Sequence, residues 1–367
     1  MRLIFIISAA TVCLSIIELI SHEQLESTGA YIIEEIQKDR SEGTDELFLM
    51  IGSVTSICFF LISGICYLTG YKEIGLLGIF GSQLGAAFSG VLKSAFAHPR
   101  PFWKYSEIDA LQCSKDFGAP SGHAMSAGGS LFVLGYIWMK NTDRWYIKLF
   151  IIIMISIITA YDRLYLGVHF YFQIILGYAF ALLISAIIVH PSSINLLQKF
   201  GNDKELLIKS QITWLLLLVF STIFCLCRSP DWDESWSINY EKACGNSFAI
   251  EDVIIKNTAD SYVFSLLGGL TMGHYLQKEK GVPEFSLLAI IISGFLHLGF
   301  INICLKMIEG YISLSTSNFL GWILLFITRY SCGIIYAYFL PEIIFKLFRK
   351  NEALEQRFSV LTFKIKV

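Results

Sequence analysis

The stretch Tyr161–Gln173, YDRLYLGVHFYFQ, decides how the rest of the chain is interpreted. It follows an apolar run over residues 149–160 and places Arg163 and His169 at the end of that run. Charged side chains within a bilayer are costly, so those that occur there usually have a function. At a helix end that faces water, such side chains keep their hydration while the apolar helix directs them. The stretch therefore predicts a polar site at the end of a membrane-spanning helix.

The composition of the whole chain predicts an all-α, polytopic integral membrane helical bundle. Of its 367 residues, 54% are hydrophobic and 16% are charged, and the mean hydropathy is +0.60. A soluble domain has roughly 25% charged residues. Apolar runs of about 20 residues, long enough to cross a bilayer, recur from end to end. The net charge of −2 and the absence of a basic patch argue against binding to nucleic acid, whereas contact with the lipid bilayer is expected.

Nine membrane spans are predicted after residue 46. They cover residues 47–70, 74–96, 121–139, 147–162, 170–189, 208–226, 261–277, 284–305 and 319–345. Lysine and arginine concentrate in alternate loops and in the tail, residues 351–367, which the positive-inside rule places in the cytosol. The same rule places residues 97–120 and 163–169 together on the lumenal or extracellular side.

The N-terminal region allows two interpretations. Residues 1–20 are apolar and are either a signal peptide or a membrane anchor additional to the nine spans. Residues 21–46 are polar and acidic, and we expect them to form a solvated lumenal segment. The predicted organisation continues with a nine-span domain over residues 47–350 and ends with the cytosolic tail.

Three short segments contain the residues that could carry a reaction. Lys93 and Arg100 end the second span, the tetrapeptide Pro120–His123 opens the third, and Arg163 and His169 lie between the fourth and fifth. The predicted topology places all of them on one face of the membrane. Three cations and the free amides of a helix N-terminus together describe a site for a dianionic phosphate. No acidic cluster that could hold Mg²⁺ occurs in these segments, so we expect neither a metal nor another cofactor.

The three segments together resemble the signature of the type 2 phosphatidic acid phosphatase superfamily. Lys-x6-Arg-Pro, Pro-Ser-Gly-His and Arg-x5-His follow in this order, with 18 residues between Pro101 and Pro120. Another 38 residues separate His123 from Asp162. The joint match is much more specific than any one part. The predicted nine spans and the segments RPFW, PSGHAM and RLYLGVHF are similar to the glucose-6-phosphatase branch of the superfamily.

The resemblance implies a phosphohistidine mechanism. His169 is implied to be the nucleophile, and His123 the acid that protonates the sugar oxygen and then the base that activates water. A mildly acidic to neutral pH optimum follows, because His123 must both donate and accept a proton. The residues implied to hold the phosphoryl oxygens are Lys93, Arg100, Arg163, Ser121 and Gly122.

Two positions depart from the superfamily pattern, and a third residue is an accessory candidate. The pattern has serine where this chain has Asp162, which either pairs with Arg163 and weakens phosphate binding or contacts a substrate hydroxyl. It usually has aspartate where this chain has Gln173, whose neutral amide can only orient the imidazole. Gln173 also resembles the glucose-6-phosphatase branch. His98 lies within the first segment, although a single histidine is more often structural than catalytic.

These observations predict a phosphomonoester hydrolase that resembles glucose-6-phosphatase. It would release glucose and phosphate at a lumenal site of the endoplasmic reticulum membrane, with a cytosolic C-terminus. The resemblance implies a separate transporter for the sugar phosphate. The alternatives are a lipid or broad-specificity phosphatase, a weakly active or non-enzymatic membrane protein, and a carrier, which the lack of an inverted repeat disfavours. Cys113 and Cys244 both lie on the predicted lumenal side and would pair if that side is oxidising.

Overall fold

The computed structural model describes residues 2–140, 143–200, 202–228, 230–277 and 319–349, with scattered positions between 292 and 307. Within these residues the regular secondary structure is entirely helical, which confirms the predicted all-α class. The predicted eighth span, residues 284–305, lies largely outside the described residues. The tail, residues 351–367, lies wholly outside them.

The order of the helices follows the predicted spans closely after residue 46. The helices are α1 (Arg2–Gln37), α2 (Glu42–Leu68), α3 (Lys72–Phe96), α4 (Pro101–Lys104), α5 (Gly122–Lys140), α6 (Trp145–Tyr165), α7 (Tyr171–Ile188), α8 (Pro191–Phe200), α9 (Lys204–Cys227), α10 (Glu234–Cys244), α11 (Ile250–Ser261), α12 (Val263–Leu276), α13 (Phe319–Ile334) and α14 (Leu340–Arg349). A π-helical turn over Ile335–Phe339 joins the last two.

Six stretches of the described residues are long and apolar enough to cross a membrane. They are Arg2–Gln37, Glu42–Leu68, Lys72–Lys104, Tyr171–Ile188, Lys204–Cys227 and Leu320–Ile344. The chain is therefore a multi-pass membrane protein, but these residues provide six candidate spans where nine were predicted. The first of the six, Arg2–Gln37, precedes residue 46 and therefore corresponds to none of the predicted nine.

Helix α1 is continuous through the N-terminal region and buries part of the segment that was expected to be solvated. The expected boundary after residue 20 falls inside one continuous helix, and residues 21–37 contain no proline that would break it. Glu26, expected to be solvated, is fully buried and forms an ion pair with Lys104 at 2.6 Å. Ile33 is also fully buried within an aromatic core. The polar composition of this segment was misleading because its buried carboxylate has a partner inside the protein.

Polar side chains define several helix starts on the connecting segments. The Ser41 hydroxyl accepts a hydrogen bond from the Thr44 amide at 3.3 Å, and the Asp203 carboxylate accepts one from Leu206 at 3.0 Å. Each satisfies an amide that has no partner within its own helix. These caps place the starts of α2 and α9 within a few residues of the predicted span boundaries.

Helix α3 lies at the centre of the bundle, where it packs against α5, α2 and α11. It approaches α5 closely at Gly81 and Gly129, where a β-carbon on either residue would collide with the backbone of the other. Small residues allow apolar helices to pack at backbone distance in a membrane. This antiparallel contact holds the C-terminal end of α3, which carries Lys93, beside the N-terminal end of α5.

The same end of the bundle has its own aromatic core and a disulfide. Phe102, Trp103 and Phe117 pack against Tyr240 and Phe248 of the segment that contains α10. A bond between Cys113 and Cys244 fastens the loop before α5 to the end of α10, which confirms the expected pairing. The loop and the α10–α11 segment are therefore held together although they are far apart in sequence.

Candidate active site

The three motif segments meet around a cavity of about 220 Å³ at this end of the bundle. It is smaller than the roughly 300–1,000 Å³ typical of sites for drug-sized ligands. The structure therefore brings together residues that the sequence places up to 76 positions apart, from 93 to 169. The motif residues that line the cavity are Lys93, Arg100, Gly122, His123, Arg163 and His169.

Asp116 is a cavity residue that sequence reasoning missed. One oxygen of its carboxylate contacts Lys93 Nζ, and the other accepts a hydrogen bond from Arg100 Nη2 at 2.7 Å. Arg100 Nε also donates to the backbone carbonyl of Asp116 at 2.7 Å. Burial alone would raise the pKa of this carboxyl, but Arg100 and Lys93 outweigh burial and hold the pKa well below its usual range. An ionised carboxylate therefore contacts both cations of the first motif.

A turn in the chain brings Asp116 to these cations. Ala97 adopts a left-handed conformation with φ of 55° and ends α3. The Gly118 amide then donates a hydrogen bond to the carbonyl of His98 at 2.8 Å, which aligns residues 116–118 with residues 98–100. No motif includes this loop position, so the sequence contained no signal for it.

Gln173 determines which nitrogen of His169 faces the cavity cations. Its amide nitrogen donates to the Pro99 carbonyl at 3.0 Å, and its oxygen accepts from the Phe170 amide at 3.3 Å. These two contacts fix the orientation of the amide, so the same oxygen faces His169 Nδ1 at 3.3 Å and Nδ1 carries the proton. The lone pair is then on Nε2, which lies 3.4 Å from Arg100 Nη1.

His169 has the protonation state that a nucleophile requires. Burial lowers the pKa of its imidazole well below the usual value, and the positive charges of Arg100 and Lys93 lower it further. The residue is 1% exposed and lies in the turn between α6 and α7. A neutral ring with an unprotonated Nε2 is therefore stable at neutral pH.

Arg163 is partly neutralised by its neighbour Asp162. One Asp162 oxygen accepts from Arg163 Nε at 2.7 Å and lies 2.5 Å from Nη2. Asp162 is fully buried, and its other oxygen has no hydrogen-bond partner within the described residues. Arg163 Nη1 donates to Gln112 at 3.1 Å. Of the two interpretations of Asp162, pairing with Arg163 is the one that the structure contains.

The spacing between Arg163 and His169 depends on a turn at Gly167. This residue has φ of +68°, a region that favours glycine, and a β-carbon here would collide with the Asp109 carbonyl. The Val168 amide donates to the Arg163 carbonyl at 3.3 Å and closes the turn. The turn thus allows both motif side chains to line the same cavity.

Residues 75–195, which contain all three motifs, match the PAP2 superfamily. This chain carries a PAP2 superfamily domain. It is similar to glucose-6-phosphatase 2 of Homo sapiens, with 26% identity over 57% of this chain and 69% of that protein. A crystal structure of a transmembrane PAP2-type phosphatidylglycerolphosphate phosphatase from Bacillus subtilis is 21% identical. It covers 51% of this chain and 94% of its own, with a TM-score of 0.44.

Ser121 and Gly122 have different positions at the start of α5 in the PAP2 domain. The Ser121 hydroxyl accepts from the Ala124 amide at 3.4 Å, and the residue does not line the cavity. A β-carbon on Gly122 would be 3.8 Å from Lys93 Nζ, so the backbone of α5 begins beside that ammonium group. His123 follows directly and lines the cavity. Gly122 therefore lines the cavity beside Lys93, whereas Ser121 caps the first turn of α5.

The structure does not bring His98 to the cavity. Its Nδ1 lies 2.5 Å from a carboxylate oxygen of Glu18, and its ring stacks on His22 with centroids 4.5 Å apart. Its position in the first motif had suggested an accessory role, but the chain turns at Ala97 and directs this side chain towards α1. His98 therefore connects the PAP2 domain to the N-terminal helix.

Part of the cavity wall lies outside the PAP2 domain. Lys256 and Asp260 of α11 form this part, whereas Gln112 and Ser114 of the loop before α5 line the cavity from within residues 75–195. Neither α11 residue belongs to a motif, so sequence reasoning missed both. Within the described residues, no group of three or more histidine, cysteine, aspartate or glutamate side chains could hold a metal ion.

Proposed function

We propose that this protein is an integral membrane phosphatase that hydrolyses phosphomonoesters through a phosphohistidine intermediate. The observation that carries the proposal is the neutral His169 ring. Its Nδ1 proton is directed to Gln173, and its unprotonated Nε2 accepts a hydrogen bond from Arg100 in a cavity that Lys93 and Arg163 also line. A nucleophile held next to cations is what attack on a charged phosphoryl group requires.

In the first step, His169 Nε2 forms a bond to phosphorus as the bond from phosphorus to the ester oxygen breaks. Protonated His123 gives its proton to the departing oxygen, so an alcohol leaves and not an alkoxide. Lys93, Arg100 and Arg163 stabilise the equatorial oxygens, where charge is spread in the transition state.

In the second step, neutral His123 takes a proton from water while the water oxygen attacks phosphorus. The bond from phosphorus to Nε2 breaks, inorganic phosphate leaves and the His169 lone pair is restored. His123 regains the proton that it lost in the first step. Gln173 keeps the His169 proton on Nδ1 throughout, so the same nitrogen is available in the next cycle.

A dianionic substrate would offset the positive charge around the cavity, which otherwise disfavours a proton on His123. Four cations and three carboxylates leave a net charge of +1, and one proton on His123 makes it +2, which matches a phosphomonoester dianion. The cations are Lys93, Arg100, Arg163 and Lys256, and the carboxylates are Asp116, Asp260 and the Asp162 that pairs with Arg163.

For the substrate we propose glucose 6-phosphate, hydrolysed on the lumenal side of the endoplasmic reticulum membrane. Similarity to human glucose-6-phosphatase 2 supports this choice, as does the small cavity lined by charged side chains. The proposed topology has a cytosolic C-terminus, and it requires a transporter that delivers the sugar phosphate to the lumen.

The proposed function is tested by phosphate release from glucose 6-phosphate in microsomes, with and without vanadate, and with phosphatidic acid as a competitor. We expect vanadate-sensitive release that detergent permeabilisation increases and that His169→Ala abolishes. The matched control is His190→Ala, because His190 directly precedes α8 and does not line this cavity. Full activity in His169→Ala would contradict the mechanism, and stronger hydrolysis of phosphatidic acid would contradict the substrate.

A further inference from the structure

Helix α11 contributes an ion pair to a cavity whose motif residues all come from the PAP2 domain. Lys256 Nζ lies 2.6 Å from Asp260 Oδ1, and both residues line the cavity with His123 and His169. Their side chains are 39% and 23% exposed, whereas the Lys93 side chain is 2% exposed. Lys93 is thus enclosed by its partners, whereas both side chains of the α11 pair remain partly exposed to solvent.

The position of this pair is fixed by contacts on several sides of α11. Asn257 donates to the Ser94 hydroxyl of α3 at 3.2 Å, and Arg329 of α13 donates to the Ala259 carbonyl at 2.7 Å. Lys115 lies 3.3 Å from Asp252, which ties the start of α11 to the loop before α5. The disulfide from that loop to Cys244 reinforces the connection.

The donors and acceptors of the pair that are not used within it can distinguish one type of leaving group from another. The Lys256 ammonium has three donors, of which Asp260 engages one, and the Asp260 carboxylate has a second oxygen to offer. An apolar leaving group would remove water from these atoms and give no hydrogen bond in return, which is costly. Hydroxyl groups both donate and accept, so they can replace that water.

We propose that Lys256 and Asp260 bind hydroxyl groups of the leaving group and thereby select phosphate esters of sugars or polyols over apolar esters. This inference rests on the proposed function and adds the second half of the binding site to it. The PAP2 domain holds the phosphoryl group, and α11 recognises the alcohol to which it is attached. The division accounts for a wall of the cavity that lies outside the matched domain.

The test compares kcat/KM for glucose 6-phosphate with kcat/KM for p-nitrophenyl phosphate, which has no hydroxyl group on its ring. The variant is Lys256→Met/Asp260→Asn, because removing both charges avoids leaving one of them without a partner. We expect the ratio to fall roughly 10- to 100-fold, the equivalent of one or more hydrogen bonds to a charged group. An unchanged ratio would overturn the inference.

The matched control is Lys209→Met, which removes the lysine of another i,i+4 pair, with Glu205, on exposed surface of α9. It should leave the ratio unchanged. Loss of the Cys113–Cys244 bond would show that the double variant does not fold correctly. Asp260→Glu then provides the test, because it keeps the charge and moves the carboxylate. An unchanged ratio in that variant also overturns the inference. Failure of the proposed function is distinguishable, since the wild type would then release phosphate from neither ester.

Discussion

At the residue scale, Asp116 determines how much positive charge the cavity presents to a phosphate. Its carboxylate contacts both Lys93 and Arg100, so an incoming phosphate must compete with a resident anion. We expect Asp116→Asn to bind vanadate roughly tenfold more tightly, because two strong hydrogen-bonding cations lose a charged partner and keep an amide. The measurement is the inhibition constant for vanadate.

The control for this prediction is Asp109→Asn. Asp109 lies in the same loop, pairs with Arg40 and has a side chain that is 75% exposed. Its replacement should leave vanadate inhibition unchanged. Weaker vanadate binding by Asp116→Asn would show that the carboxylate positions the cations for phosphate and does not compete with it.

The protonation of His169 predicts how activity depends on pH. Burial, followed by Arg100 and Lys93, lowers the pKa of the imidazole, so the proton dissociates more easily and the nucleophile stays neutral at lower pH. Phosphoenzyme formation from p-nitrophenyl phosphate should therefore persist below about pH 6.5, the usual histidine value. Rapid-quench measurement of the first turnover between about pH 5 and pH 8 checks this. A rate of phosphoenzyme formation that falls to half its maximum at or above about pH 6.5 as the pH is lowered would contradict the prediction.

Sequence patterns identified motif residues but not the residues that modify them. Lys93, Arg100 and His169 were predictable because each belongs to a motif with characteristic spacing. Asp116 was not, because its place beside Arg100 depends on a turn at Ala97 and on backbone pairing across a loop. A carboxylate in a loop has no periodicity that would distinguish it from a solvated one.

At the scale of elements, α1 is held to the PAP2 domain by an ion pair whose two members differ in burial. Glu26 is fully buried, whereas the side chain of its partner Lys104 is 35% exposed. Lys104→Met would leave a buried carboxylate without a partner and should cost about 3 kcal/mol. Glu26→Gln leaves a lysine that water can reach and should cost less than about 1 kcal/mol.

Thermal unfolding of the two variants in the same detergent measures this asymmetry. Lys38→Met serves as a control, because Lys38 pairs with Glu35 on the exposed surface of the N-terminal region. Equal losses in Lys104→Met and Glu26→Gln would contradict the assigned burial of Glu26. The apolar composition of residues 1–20 predicted a signal peptide or an anchor, but composition could not show that Glu26, further along the same helix, would be buried.

At the scale of the whole molecule, the Cys113–Cys244 disulfide joins the two parts of the chain that form the cavity. It closes a sequence separation of 131 residues and connects the loop of Asp116 to the segment of α10 and α11. Its loss should lower the free energy of unfolding by about 3 kcal/mol and release the α11 wall. We expect reduction to lower both the melting temperature and the activity towards glucose 6-phosphate.

The variant Cys113→Ser/Cys244→Ser should reproduce the effect of reduction and should no longer respond to a reducing agent. Cys227→Ser is the matched control, because Cys227 is free and exposed. A wild-type protein whose melting temperature is unaffected by reduction would contradict the structural role of the bond. The pairing was predictable from the predicted topology, which places both loops on one side of the membrane. The contact of α11 with the cavity was not, because it follows from tertiary packing alone.

The central claim, that His169 is a covalent nucleophile, is tested most directly by trapping the intermediate. The protein is mixed with glucose 6-phosphate that carries a labelled phosphoryl group and is quenched in alkali after a fraction of one turnover. We predict protein-bound label that is stable to alkali, labile to acid, absent from His169→Ala and present in His190→Ala. Label that persists in His169→Ala, or phosphate release by the wild type without any bound label, would contradict the account.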